Sequence, residues 1–349
     1  MSRRAGKACV RCLLFALVFG LAGALPLCGR EGHCAAALVR EQAPLKLGIC
    51  LYNDEDTFIY SMYQSLLQEA AKNGAEVLMR DAANDQNRQN DQLEELLKEG
   101  VDALIVNPVD RTTSLFLIQM AMRYNVPTIF VNREPLAEDL AVYDKAYYVG
   151  IDPAQQGTLG GSLAAEYFQT HESADKNGDG LMQLVILKGE PGHQDAELRT
   201  IYAQKALQDA GVKVERLGEE TALWQKSLGQ ERMAALLSSY GSRIECVISN
   251  NDDMALGAID ALKAAGYFDN GQFIPVLGVD GTEPARAALL EGTMYATVFN
   301  NGQAQAEIAV RLASLLARGE TVDETSFPYP MKDKIIYIES TQLVTEAVK

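Results

Sequence analysis

Two successive runs of alternating strand and helix patterns constrain this 349-residue chain more than any other feature. The apolar stretch Lys46-Leu47-Gly48-Ile49-Cys50-Leu51-Tyr52 reads as a buried strand. A helix pattern follows it, with Phe58, Met62, Leu66, Leu67 and Ala70 on one face and Gly74 at its end. Strand patterns recur at 75–79, 101–106, 126–131 and 147–151. Helical stretches carrying Leu93, Leu96 and Leu97, and then residues 115–122, lie between them. The alternation restarts after Asp152. Strands are predicted at 183–187, 212–217, 245–249 and 274–279, and helices at 160–168, 197–210, 225–240 and 254–265. The last three of these helices end at Gly211, Gly241 and Gly266. Strands that return in parallel need a crossover, and helices supply it, so each run of about a hundred residues predicts one parallel-sheet domain. The predicted fold class is α/β, with two doubly wound parallel-sheet lobes.

The first forty residues follow a different pattern. Arg3, Arg4 and Lys7 precede an uncharged apolar run, Leu13 to Leu27. That run has the length of a signal-peptide core and is short for a membrane span, so export to the periplasm is expected. A retained anchor helix is the alternative. Cys34-Ala35-Ala36-Ala37 offers small residues for cleavage, while Cys28 and Cys34 are the candidates for a lipid anchor. Residues 1–40 hold six of the 31 basic and one of the 47 acidic residues, which leaves 25 against 46, a net of −21 beyond them. So acidic a chain repels nucleic acid and anionic membrane. Four of the six cysteines fall in this leader. Cys50 and Cys246, each in an apolar strand pattern, are expected to be buried free thiols.

Doubly wound sheets bind ligands beyond the carboxyl ends of their strands. The polar residues there are Asp56, Asn132, His193, Asp195, Arg199, Asn251, Asp280 and Asn300. Carboxylates, amides, an imidazole and a guanidinium suit sugar hydroxyls, each of which donates one hydrogen bond and accepts two. Asp and Asn at the same places also make helix N-caps, and for any one of them that reading competes. Phe58 and Trp224, the only tryptophan, are candidates to cover the apolar faces of a sugar ring. For Phe58 the competing reading is ordinary core.

The stretch 175–183, Asp-Lys-Asn-Gly-Asp-Gly-Leu-Met-Gln, places oxygen side chains at positions 1, 3, 5 and 9 of a calcium loop. Position 12 is Ile186, so an ordinary EF-hand is excluded and the closing carboxylate has to come from elsewhere. A polar turn with no metal is the competing reading.

From about Leu47 to the C-terminal region the chain resembles the bacterial periplasmic D-galactose/D-glucose-binding proteins, of the type I periplasmic-binding-protein family. The resemblance is carried by Gln89-Asn90-Asp91-Gln92, by Tyr143-Asp144-Lys145-Ala146-Tyr147-Tyr148-Val149-Gly150 and by Leu187-Lys188-Gly189-Glu190-Pro191-Gly192-His193. Asn250-Asn251-Asp252 and Gly278-Val279-Asp280 add to it. It implies two lobes joined by three crossing segments: 45–150 plus 300–335, and 151–299 plus 336–349, after a leader at 1–36. It makes Phe58 and Trp224 stacking plates and the eight polar residues a hydrogen-bonding rim. It also implies a structural calcium site of Asp175, Asn177, Asp179, the Leu181 carbonyl, Gln183 and Glu245. Gln194 departs from the family by standing where a proline is usual, and the tail beyond Thr321 matches less well.

The function implied is binding of D-glucose or D-galactose by a monomer. Delivery to the membrane permease of an ABC importer, and possible reading by a chemoreceptor, go with it; catalysis does not. Two other readings are a galactoside hydrolase using Asp56 and Asp195, and a sugar-responsive repressor on the same fold. The repressor needs a basic helix-turn-helix, where this chain has an apolar leader.

Overall fold

A computed structural model describes residues 43–269 and 272–345. The expected leader, its cleavage site, Cys28 and Cys34 lie outside the described residues. The first run of elements is β1 (Lys46–Leu51), α1 (Thr57–Lys72), β2 (Glu76–Asp81), α2 (Gln86–Lys98), β3 (Ala103–Val106), α3 (Ser114–Arg123), β4 (Thr128–Val131), α4 (Ala137–Ala141) and β5 (Ala146–Gly150). The second is α5 (Pro153–Thr170), β6 (Met182–Lys188), α6 (Gln194–Asp209), β7 (Val214–Thr221), α7 (Lys226–Tyr240), β8 (Cys246–Ser249), α8 (Asp252–Ala264), β9 (Val276–Asp280), α9 (Glu283–Glu291) and β10 (Ala296–Phe299). The tail adds α10 (Gly302–Ala317), β11 (Met331–Lys332), β12 (Ile335–Tyr337) and β13 (Thr341–Val344).

Among the described residues these strands make two sheets. The first has the order β11-β12-β5-β4-β3-β1-β2 and the second β13-β10-β9-β8-β6-β7. In both, the leading strand lies between the second and third strands of its run, and all neighbours within the run are parallel. That arrangement reverses the winding direction beside β1 and beside β6, and it opens a crevice at the carboxyl ends of these strands. Helices cover both faces of each sheet. Leu66 of α1 and Ile308 and Leu312 of α10 share a core with Ile49, Ile105 and Ile129 on one face, while Leu93, Leu96 and Leu117 pack with Leu104 and Phe130 on the other. The second sheet has the same two-sided packing.

The chain changes lobes three times: between Gly150 and Pro153, between Phe299 and Gly302, and between Tyr337 and Thr341. The tail corrects one expectation. The resemblance puts residues 336 and 337 in the second lobe, but Ile336 and Tyr337 pair with Val149 and Gly150 in the first sheet, and only β13 joins the second, antiparallel to β10. Three residues of apolar pattern were too few to reveal the pairing.

Helix α5 meets α6 almost backbone to backbone. A Cβ on Gly157 would come within 2.6 Å of the Arg199 carbonyl, and one on Gly161 within 2.3 Å of the Ala203 carbonyl. This close approach fixes α6, the helix that carries Asp195 and Arg199, against the second lobe.

Candidate functional site

Strand ends from both lobes converge on one narrow cavity of about 30 Å³. Its walls include Asp56, Phe58 and Asn132 from the first lobe and His193, Asp195, Arg199, Trp224, Asn251 and Asp280 from the second. Of the ten expected residues only Asn300 stays out of this wall. It stands behind Asp280, where its Nδ2 donates to Asp280 Oδ1 at 3.2 Å and its Oδ1 accepts from Gln305 Nε2 at 2.6 Å. Three further residues line the wall without having been expected there: the apolar Ile59 and the polar Tyr52 and Arg133. Tyr52 follows β1 directly and Arg133 follows Asn132, so the strand-end rule, taken one residue wider, would have found both.

The N-cap reading holds for three of these residues. Asp56 Oδ1 accepts from Ile59 N at 3.0 Å, Asn251 Oδ1 from Met254 N at 3.0 Å, and His193 Nδ1 from Asp195 N at 3.1 Å. In each case capping uses one atom and leaves another. Asp56 Oδ2 accepts from the Tyr52 hydroxyl at 2.6 Å, and Asn251 Nδ2 donates to the Trp224 carbonyl at 3.2 Å. Because His193 Nδ1 is an acceptor, a neutral ring carries its proton on Nε2. Burial, followed by the charges of Arg133 and Arg199, holds the His193 pKa well below the usual range and keeps the ring neutral.

Asp195 and Arg199 form a buried ion pair one helical turn apart, Nη2 to Oδ2 at 3.1 Å. The guanidinium is fixed by two more bonds, Nε to Gln156 Oε1 and Nη1 to the Asn250 carbonyl, both 2.9 Å. Burial raises the Asp195 pKa, and Arg199 opposes the rise. Asp280 is raised well above the carboxylate range by burial; Arg199 lowers it, and the Asp252 and Asp56 carboxylates add to the rise. Unusual backbone accompanies these positions: Asn132, Trp224 and Asp280 all have positive φ (62, 67 and 114°). Such strain concentrates at ligand sites. The His193 and Trp224 rings meet edge to face with centroids 5.1 Å apart.

The acidic loop lies in the second lobe, beside the start of β6 and β8. Asp175 Oδ1 accepts from Gly178 N and its Oδ2 from Gly180 N, both at 2.8 Å, and Asp179 Oδ1 accepts from Leu181 N at 2.8 Å. Asn177 Oδ1 takes Asp179 N at 2.9 Å. Glu245, though distant in sequence, reaches the loop and accepts from Lys176 N at 2.6 Å and Gln183 N at 3.1 Å. Gln183 is buried and its Oε1 has no hydrogen-bond partner. Among the described residues no group of three or more His, Cys, Asp or Glu is placed to hold a metal, so any ion here depends on amide and carbonyl oxygens as well. Cys50 and Cys246 are free and buried, each thiol pushed up to about 12 by burial.

Two sheets of one topology, three crossings and a polar cavity between the lobes define a solute-binding protein that works by enclosing its ligand. The chain belongs to the periplasmic binding protein domain family, whose model matches residues 47–321. It is 37% identical over 295 residues to the D-galactose/methyl-galactoside binding periplasmic protein MglB of Haemophilus influenzae, covering 84% of this chain and 87% of the relative. It is 32% identical over 308 residues to a putative rhizopine-binding protein of Rhizobium meliloti, covering 87% and 95%. Among solved structures, an ABC transporter solute binding protein from Bacillus halodurans with bound myo-inositol superposes with a TM-score of 0.73 at 30% identity, covering 87% and 96%.

These are binding proteins of transport systems, and this chain is a periplasmic binding protein and not an enzyme. The hydrolase and repressor readings fall with that assignment. Among the described residues no helix is long and apolar enough to cross a membrane.

Proposed function

We propose that the cleft captures D-glucose or D-galactose and hands it to the membrane permease of an ABC importer. The observation that carries this reading is the composition of the cavity wall. Nine hydrogen-bonding side chains, together with the rings of Phe58 and Trp224, are drawn from both lobes around one space. The carboxyl oxygens of Asp56, Asp195 and Asp280 accept hydrogen bonds from hydroxyls, while Arg199 and the His193 Nε2–H donate to hydroxyl or ring oxygens. A ligand touched by both lobes binds the closed form better than the open one, and that differential affinity drives closure. The 37% identity is to a protein named for D-galactose and methyl-galactoside, which supports a hexose. The relative named for rhizopine and the structure with myo-inositol define the competing ligands.

Titrating Trp224 fluorescence with glucose, galactose, ribose, allose and myo-inositol tests the assignment. Saturable responses are expected for glucose or galactose at the lowest concentrations. Silence to both, with a response to inositol, overturns it.

We also propose that the loop 175–183 with Glu245 holds a structural calcium ion. The donor set is all oxygen, as calcium requires. The unpartnered, buried Gln183 Oε1 is a ligand atom with nothing else to bind. Burial raises the Glu245 pKa, so a cation there relieves an unfavourable buried charge.

A further inference from the structure

Arg133 is 4% exposed, yet its guanidinium has partners in both lobes. Nη1 donates to the Val109 carbonyl, and the group lies over the Tyr52 ring, 3.9 Å from the centroid. Both partners belong to the first lobe, so Arg133 is held in place whether or not the second lobe approaches. Nη2 donates across the cleft to Glu190 Oε2 at 3.2 Å. Glu190 sits on the turn after β6, and its carbonyl accepts from His193 N at 3.1 Å. The turn that presents Glu190 therefore also presents His193.

Beneath Arg133, the Tyr52 hydroxyl donates to Asp56 Oδ2 at 2.6 Å, while Asp56 Oδ1 is taken by the cap of α1. A continuous series of contacts thus runs Glu190–Arg133–Tyr52–Asp56, from the mouth of the cleft to its inner wall. Tyr52, Asp56 and Arg133 line both the inner cavity and the wider outer cleft of about 880 Å³, whereas Glu190 lines only the outer cleft.

We propose that Arg133 is a positioning residue which, clasped by Glu190 when the lobes close, acts through Tyr52 to lock the orientation of Asp56 toward the ligand. The inference rests on the sugar-capture reading and adds to it the element that sets the residence time. The physical asymmetry favours this role. Glu190 is 40% exposed and rehydrates readily when the lobes part, while the guanidinium stays stacked and preorganised, so closure orders only one side chain. A contact made only after encounter acts on dissociation more than on association.

The test is stopped-flow binding of the hexose the wild-type protein prefers, on wild type, E190Q, Y52F, R133K and the double variant E190Q/Y52F. Thermal melts serve as a check on folding. E190Q is expected to dissociate about tenfold faster with association within about twofold, as for loss of a charge-assisted hydrogen bond. R133K keeps the charge but not the flat face over Tyr52, and is expected to show faster dissociation. Because Glu190 acts through Tyr52, the E190Q effect is expected to shrink in the Y52F background. Dissociation of E190Q at the wild-type rate, or E190Q and Y52F effects that simply multiply, would overturn the proposal. Wild-type protein silent to every hexose refutes the sugar reading itself, before any variant is compared, and the relay falls with it.

Discussion

The outer edge of the Trp224 indole fills the space that a side chain on Gly189 would need. A Cβ there would lie 2.2, 2.3 and 2.5 Å from three atoms of the six-membered ring. The backbone of Trp224 is fixed as well, since its carbonyl accepts from Asn251 and its φ is 67°. The ring therefore owes its place in the cavity wall to the absence of a methyl group on the turn that also carries Glu190 and His193.

Gly189→Ala is expected to push the indole out of position while leaving the sheet intact. Displacing an aromatic contact of this kind costs about 1 to 3 kcal/mol, or roughly 5- to 150-fold in ligand affinity. Isothermal titration is the suitable measurement, since the fluorescence of Trp224 is itself disturbed. Unchanged affinity in a folded variant would show that the indole plays no part in binding.

Asp280 predicts the pH dependence of binding. With its pKa raised well above 3.8 by burial, it gains a proton as the pH falls and exchanges one of its acceptor oxygens for a donor, which weakens its hold on a ligand hydroxyl. Hexose affinity is expected to decline toward acid pH in the wild type, and the decline is expected to flatten in Asp280→Asn. His193 adds nothing to this profile above its depressed pKa. Identical pH profiles for the two proteins would remove Asp280 as the cause.

Asp252 acts on stability instead. It is fully buried, accepts from Thr282 N at 2.7 Å and the Thr297 hydroxyl at 2.6 Å, and its pKa is raised by burial to about 7. A carboxyl raised on folding binds protons better in the native state than in the unfolded chain. Its contribution therefore favours the fold below the unfolded value of 3.8, weakens as the pH climbs toward 7, and is flat above. The melting temperature of wild type relative to Asp252→Asn is expected to fall between about pH 4 and 7 and then level off. A constant difference across that range would refute the assignment.

Gly161→Ala tests the α5–α6 contact. The new methyl meets the Ala203 carbonyl backbone, which has no flexible end to move aside. Overpacking of this kind costs about 1 to 3 kcal/mol, read as a lower denaturation midpoint with an unchanged slope. A change in affinity is expected too, because α6 carries Asp195 and Arg199.

If the acidic loop binds calcium, a chelator should lower the melting temperature of wild type, and added calcium should restore it, by the linkage between ligand binding and folding. Glu245→Gln is expected to melt at the chelated temperature and to ignore both additions. Wild-type melting that is indifferent to chelator would leave the loop as a hydrogen-bonded turn.

The two sheets and their helices were legible because strand and helix periods are local properties of a sequence. The positions after each strand were legible because parallel topology alone dictates where a cleft forms. Seven of the eight polar residues chosen by that rule line the cavity, as do Phe58 and Trp224, but the rule says nothing about depth. It could not tell that Asn300 stands behind Asp280, nor that Arg133, one residue past Asn132, turns into the cleft while remaining buried.

Sequence by itself determined the fold class, the two-lobed plan and the chemical character of the cleft, since each rests on patterns a few residues long. Only the tertiary structure decided the rest. Arg133 and Glu190 are 57 positions apart, and Tyr337, whose hydroxyl donates to Glu134 at 2.8 Å, is 203 positions from its partner. No spacing encodes such contacts. They exist because parallel sheets bring the loops after separate strands to a common edge. The raised carboxyls of Asp252 and Asp280 have the same origin, for a side chain loses its water only when the whole lobe closes around it.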